Sequence, residues 1–167
     1  MTLDTPSVEL LPALTPADLT QVHAIFLEYA QSLKVDLCFQ NFDEELRDLP
    51  GEYAEPRGAL LLAQVNGEIA GCCALRPLDG CDYSNAAEMK RLYVRPAFRG
   101  LGLGRQLAEA ILDTARHAGY ACVLLDTLDD MEAARAERNL SYAAAIDLDD
   151  DDRAVIEGDL ATLPITE

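Results

Sequence analysis

The stretch EMKRLYVRPAFRGLGLGRQ, residues 88–106, constrains this chain more than any other. EMKRLYV reads as a strand ending at Val94, because Pro96 has no N–H with which to continue a ladder. Arg99-Gly-Leu-Gly-Leu-Gly104 then leads into RQLAEAILDTARHAG, in which Leu103, Leu107, Ile111 and Ala115 recur four apart on one helical face. Three glycines at a helix start let the backbone approach a ligand closely, with the free N–H groups of the first turn aimed at it. The positive end of the helix dipole then favours an anion, phosphate above all. The loop has no Gly-Lys-Ser/Thr ending, which argues against a P-loop. Its G-x-G-x-G spacing, followed by Arg105, disfavours a dinucleotide-binding turn.

Charge sharpens this reading. The chain of 167 residues carries a net charge of −17, which argues against nucleic acid as a partner. Lys90, Arg91, Arg95, Arg99 and Arg105 are nonetheless crowded together in a protein with only thirteen basic residues. Such a cluster beside a glycine loop predicts an anion site, although Arg91 or Arg95 singly also suits a solvated strand or loop position. Half the residues are apolar, so the length is that of one globular domain spanning 1–167. No run approaches the ~20 apolar residues of a membrane span, and the first ten residues lack the pattern of a secretory signal. Cysteines 38, 72, 73, 81 and 122 are odd in number and never spaced C-x-x-C, and His23 and His117 are the only histidines. No metal site is expected, and the thiols read as reduced, in a cytoplasmic protein.

Taken in order, VELLPAL (8–14) is a first strand. Thr15 caps a helix with Pro16 at its first position and Asp18 at its third; the stripe Leu19, Val22, Phe26, Tyr29, Leu33 carries it to about residue 33. His23 beside that stripe reads as structural or surface. NFDEELRDL (41–49) is a short second helix, and 51–58 a loop. Residues 59–77 form a hairpin on the type I′ turn Asn66-Gly67, with Gly71 a candidate bulge and Cys72 and Cys73 facing opposite ways. Gly119 closes the long helix, and ACVLLDTL (121–128) is a buried parallel strand. DDMEAARA (129–136) starts another helix. In the remainder, SYAAAIDL (141–148) alternates as a strand does. DLATLPIT (159–166) is limited to a sheet edge by Pro164, and the acids 149–152 read as the turn between them.

Strand, proline, arginine, triple glycine and amphipathic helix in that order resemble the acyl-CoA loop of the GNAT superfamily of N-acetyltransferases. The signature of that family is Arg/Gln-x-x-Gly-x-Gly/Ala after a central strand; here it stands as Arg99-x-x-Gly102-x-Gly104. The resemblance covers residues 8–136. It implies an α/β (α+β) fold, with a mixed, largely antiparallel central sheet, a parallel pair at its centre and flanking helices. It also implies acetyl-CoA as cosubstrate and a small amine as acceptor, with a homodimer compatible.

By the same resemblance, the backbone of Leu92, Tyr93 and Val94 pairs with the pantetheine arm, and the Val94 N–H polarises the thioester carbonyl. Arg99 and the N–H groups of Gly100, Leu101, Gly102, Leu103, Gly104 and Arg105 hold the pyrophosphate. Phe39, Phe42, Tyr53 and Glu28 become candidates for acceptor contact. Glu88, six residues before Val94, is the candidate base, expected on the same face as Lys90, Leu92 and Val94. Its alternative is a strand-start carboxylate paired with Lys90 or Arg91. The Leu-Tyr pair of the family, whose tyrosine serves as general acid, is replaced here by Glu137 and Arg138; Tyr142 is the nearest substitute. That departure keeps open a non-catalytic acyl-CoA-binding or regulatory protein, or a protein–protein module that retains the fold. With thirty acids, the surface potential favours a cationic acceptor.

Overall fold

The computed structural model describes residues 4–32, 42–79, 85–125, 144–147 and 155–156, the last two segments and residue 125 through their backbone. Strands β1 (Val8–Pro12), β2 (Ala59–Val65), β3 (Glu68–Leu78), β4 (Ala86–Val94), β5 (Cys122–Leu125), β6 (Ala144–Asp147) and β7 (Val155–Ile156) lie in one sheet in chain order. Every neighbouring pair is antiparallel except β4 and β5, which run parallel at its centre. Helices α1 (Pro16–Ser32), α2 (Phe42–Asp48) and α3 (Leu103–Ala118) complete the described fold. This is the mixed, centrally parallel architecture that the sequence predicts.

Local chemistry explains most element boundaries. The Asp18 N–H donates to Thr15 Oγ1 while the Thr15 N–H donates to Asp18 Oδ2, a reciprocal cap at the start of α1. Asn66 and Gly67 both take positive φ, as a type I′ turn between β2 and β3 requires. Gly119, at φ +90°, ends α3 with its N–H directed to Ala115 and Arg116 carbonyls.

The sheet separates two cores. On one face α3 buries Leu103, Leu107, Ile111 and Ala115 against Leu61, Leu75, Ala87, Met89, Val94 and Val123. On the other, α1 and α2 bury Val22, Phe26, Phe42 and Leu46 against Leu60, Leu62, Cys72, Ala74 and Tyr93. Cys72 and Cys73 fall in opposite cores, as adjacent strand residues must. His23 is exposed.

β6 covers the β5 edge, where the alternating run 141–148 is expected. Its partner strand differs from expectation: β7 is Val155–Ile156, ahead of the 159–166 run, which lies outside the described residues. A two-residue strand needs little alternation, so Val155 and Ile156 give no period from which to read it. The helix expected from 129 and the acidic turn 149–152 also lie outside the described residues.

Candidate active site

The site is built where β4 loses its regular pairing. From Ala86 to Met89, β4 lies between β3 and β5, with Met89 opposite Leu125 as the last parallel partner. Beyond Met89 it pairs with β3 alone among the described residues. The β3 register steps there from Ala74–Lys90 to Cys72–Tyr93, so Arg91 and Leu92 together oppose Cys73. Arg91 sits at φ +61°, the left-handed conformation that lets one strand carry an extra residue. Two buried thiols meet the bulge: Cys72 Sγ is 3.2 Å from the Arg91 carbonyl and Cys73 Sγ 3.9 Å from that of Lys90. Burial pushes both thiols above their usual range, so they remain protonated donors.

The bulge corrects one expectation. A spacing of six puts Glu88 and Val94 on one face only in an uninterrupted strand. The extra residue at Arg91 reverses the alternation. Ala87 and Met89 before it, and Leu92 and Val94 after it, all face α3; Tyr93 faces the α1–α2 core. Glu88 therefore stands opposite in sense to Leu92 and Val94, among polar groups of β3, β4 and the Gly51–Tyr53 turn.

There Glu88 is 4 % exposed, and its Oε1 accepts from Arg76 Nε at 3.1 Å and lies 3.8 Å from Lys90 Nζ. Arg76 also donates to Glu52 Oε2 at 2.8 Å. Burial, with Arg91 next, lowers the Lys90 ammonium to about 8 against the opposing attraction of Glu88. Deeper in, Arg91 grips Glu45 of α2 through Nε and Nη2 at 2.9 and 3.0 Å, with its guanidinium over the Phe42 and Tyr29 rings. Burial opposes the Glu45 carboxylate, but the Arg91 hydrogen bond and charge outweigh it and hold its pKa below the usual value. Tyr53 donates to the same carboxylate at 2.7 Å. Arg95 ties Glu28 of α1 to the Ile69 carbonyl of β3. Phe42, Tyr53 and Glu28 each take part in this ionic framework.

The basic cluster divides accordingly. Lys90, Arg91 and Arg95 meet Glu88, Glu45 and Glu28, and two cations remain by the glycine loop. Arg99 donates through Nε to the Val94 carbonyl at 3.0 Å, its guanidinium 6.0 Å from the Tyr93 ring. Arg105 is exposed and pairs with Glu109 one turn along. Gly100 and Gly102 hold φ +90° and +74°, so the turn needs residues without Cβ there. Gly102 caps α3, and the first intrahelical bond runs from the Gln106 N–H to its carbonyl at 3.1 Å. The N–H groups of Leu103, Gly104 and Arg105 precede that bond and are the helix's open donors. Leu101 is exposed; the Leu103 side chain is in the core, leaving its N–H as the group it can offer.

Sequence reasoning missed Arg76 and Glu45, the partners that set the charge of this face. Each lies far along the chain from its partner, so no local spacing flags it. Phe39, Glu137, Arg138 and Tyr142 lie outside the described residues. Among the described residues no cluster of three His, Cys, Asp or Glu side chains could hold a metal ion, and no helix is long and apolar enough to cross a membrane.

Comparison with known proteins finds acetyltransferases. The model of the family described as acetyltransferase (GNAT) family matches residues 19–137. An uncharacterized N-acetyltransferase of Schizosaccharomyces pombe is 41% identical over 117 residues, covering 70% of this chain and 70% of the relative. Among solved structures, a GNAT family N-acetyltransferase from Escherichia coli in complex with CoA superimposes with a TM-score of 0.58 at 25% identity, covering 81% of this chain and 70% of that one. An acetyltransferase from Salmonella typhimurium with acetyl-CoA matches with a TM-score of 0.56 at 19% identity, over 88% of this chain and 97% of that one; at that identity it speaks for the fold.

Proposed function

The chain belongs to the GNAT acetyltransferase family, and from that premise we propose that it transfers the acetyl group of acetyl-CoA to a small amine. One observation carries the reading. The half of β4 that lacks a partner on its β5 side among the described residues leads, through a 3₁₀ turn at Pro96–Phe98, to a glycine-capped helix start. An extended chain carrying a diphosphate fits both at once: strand-like hydrogen bonding along 92–94, then donors for the anion at 100–105. Acetyl-CoA would supply the activated acetyl group there.

In this reading, the backbone of Leu92, Tyr93 and Val94 aligns the pantetheine arm. The Val94 N–H stabilises charge on the thioester oxygen. The N–H groups from Gly100 to Arg105 hold the pyrophosphate, and Arg105 exchanges Glu109 for it. Arg99 steadies the strand end through the Val94 carbonyl. Holding two reactants in register supplies roughly 7–11 kcal/mol of the barrier. The acceptor enters over the α1–α2 face, where Glu88 and Lys90 lie together to receive its proton. Tyr142 is the nearest tyrosine to stand in as acid. The strong negative charge draws cationic amines toward the site. The buried thiols of Cys72 and Cys73 suit a reducing, cytoplasmic setting.

Gly102→Val tests the assignment, because a β-branched residue resists φ +74°. Calorimetry should show acetyl-CoA affinity lost while far-ultraviolet circular dichroism is unchanged. Unaltered affinity would remove the loop from the site. Release of free CoA thiol with a panel of amines reads out the reaction, and a preference for anionic acceptors would contradict the electrostatic part.

A further inference from the structure

We propose that Arg91 and Glu45 are positioning residues for the acyl donor: by gripping the Arg91 guanidinium, the α2 carboxylate sets the register in which Leu92–Val94 meets the pantetheine arm of acetyl-CoA. This deepens the acetyl-transfer reading above and rests on it.

The backbone carries the first part of the argument. Arg91 stands at φ +61°, a conformation that residues with a Cβ seldom adopt. Arginine has no local preference for it, as glycine or asparagine would. Were the bulge to relax into regular pairing, Leu92, Tyr93 and Val94 would slip by one position against β3. Leu92 and Val94 would leave the α3 core and Tyr93 would enter it. The backbone groups of the run would change sides with the side chains, the Val94 N–H among them. The conformation of one residue therefore decides which groups the donor meets.

Side chains from separate elements hold that conformation. The Arg91 side chain is fully buried. Glu45 accepts from its Nε and Nη2 at 2.9 and 3.0 Å, and Tyr53 fixes the same carboxylate at 2.7 Å. The rings of Phe42 and Tyr29 lie 5.2 and 5.9 Å from the guanidinium carbon. Cys72 Sγ donates to the Arg91 carbonyl at 3.2 Å. Tyr29 passes the contact on, since its ring makes an edge contact with that of Tyr93 at 5.9 Å, in the middle of the donor-binding run. Apolar side chains of similar size would fill such a core as stably, because desolvating a buried ion pair costs about what its attraction returns. The pair adds what apolar packing lacks, two hydrogen bonds of fixed direction. Anchoring a register is the use of that direction.

The test compares two paired replacements. Arg91→Met/Glu45→Met keeps the core filled, removes the anchor and places a residue at 91 that favours regular strand. Arg91→Gly/Glu45→Met removes the anchor too, but glycine accepts φ +61° freely. Arg91→Lys, which keeps the charge and loses the fork, is run beside them. Each protein is titrated by calorimetry with acetyl-CoA and with 3′-phosphoadenosine 5′-diphosphate, the part of CoA without the arm, and is unfolded in urea. The Met pair should be the more stable of the two pairs and still bind acetyl-CoA ~10-fold or more weakly than wild type, the order of one or two strand hydrogen bonds. It should bind the armless fragment as wild type does. Arg91→Lys should show the same selective loss. The Gly pair should be the less stable and yet the better acetyl-CoA binder, whereas a merely structural role makes affinity follow stability. Wild-type acetyl-CoA affinity in the Met pair and in Arg91→Lys overturns the proposal. So does an equal loss of acetyl-CoA and fragment, or a Gly pair that binds acetyl-CoA no better than the Met pair. Absence of acetyl-CoA binding by the wild type would instead strike the acetyl-transfer reading, and this proposal with it.

Discussion

The two halves of β4 behave as different strands. Ala86–Met89 has strand neighbours on both sides and strict alternation, with Ala87 and Met89 toward α3 and Glu88 away from it. Leu92–Val94 pairs with β3 alone among the described residues, and its alternation is reversed. The first half is scaffold and carries ionisable groups to one face. The second sends Leu92 and Val94 toward α3 and Tyr93 to the other core. One extra residue, Arg91, makes the difference, and α2 holds it in place through Glu45. A bulge thus reverses which side chains a central strand sends to each face without changing its length or composition.

The sharpest way to break that contrast is to release the bulge. Glu45→Ala leaves the Arg91 guanidinium, whose side chain is fully buried, without its carboxylate. It should cost about 3–5 kcal/mol in urea denaturation, with Arg91→Met/Glu45→Met recovering much of it. A loss below about 1 kcal/mol would show that the ion pair does not hold the bulge.

The first half of the strand is tested by pH. Lys90 has a lower pKa folded than unfolded, so between about 8 and the ordinary 10.5 the unfolded chain binds the extra proton. Stability from this group should therefore rise with pH through that window, by at most about 3 kcal/mol, and be flat below it. Lys90→Met should abolish the rise and be the more stable protein below pH 8. Parallel curves for the two proteins would contradict the placement.

The second half is probed through its close neighbour Gly71, which lies opposite Val94. A Cβ there would fall 2.8 Å from the Tyr93 carbonyl and 3.1 Å from Leu107 Cδ1. Gly71→Ala should cost about 1–3 kcal/mol. Because the clash falls on the Tyr93 backbone, it should weaken acetyl-CoA binding, measured by calorimetry, more than it changes the Lys90 titration. Equal disturbance of both would mean that the halves are not independent. The smallest effect is expected at Arg105→Ala, which removes an exposed i,i+4 pair worth ~0.5 kcal/mol or less. Thermal stability should hardly move, while acetyl-CoA affinity falls, most visibly at low salt.

Much of this was legible in the chain itself. Thr15-Pro16-x-Asp18, Asn66-Gly67 and Gly119 marked their turns and caps because each solves a local backbone problem that few residues solve. The apolar row from Leu103 to Ala115 announced the face of α3, since a helix places every fourth residue on one side. The glycines at 100 and 102 announced the turn they make. The facing of Glu88 was misread, because period two holds only while pairing is regular, and no residue at 91 signals a bulge: arginine is an ordinary strand residue. Nor did the sequence show which cations were already neutralised. Arg76, Arg91 and Arg95 find Glu88, Glu45 and Glu28 across 12, 46 and 67 residues, and spacing carries no information at such distances. The sequence by itself determined the elements from β1 to β5, the glycine-capped helix and hence the family. Tertiary structure decided the reversal at Arg91 and the partner of every charge on the site face, because register and ion pairing are settled only when separate segments meet.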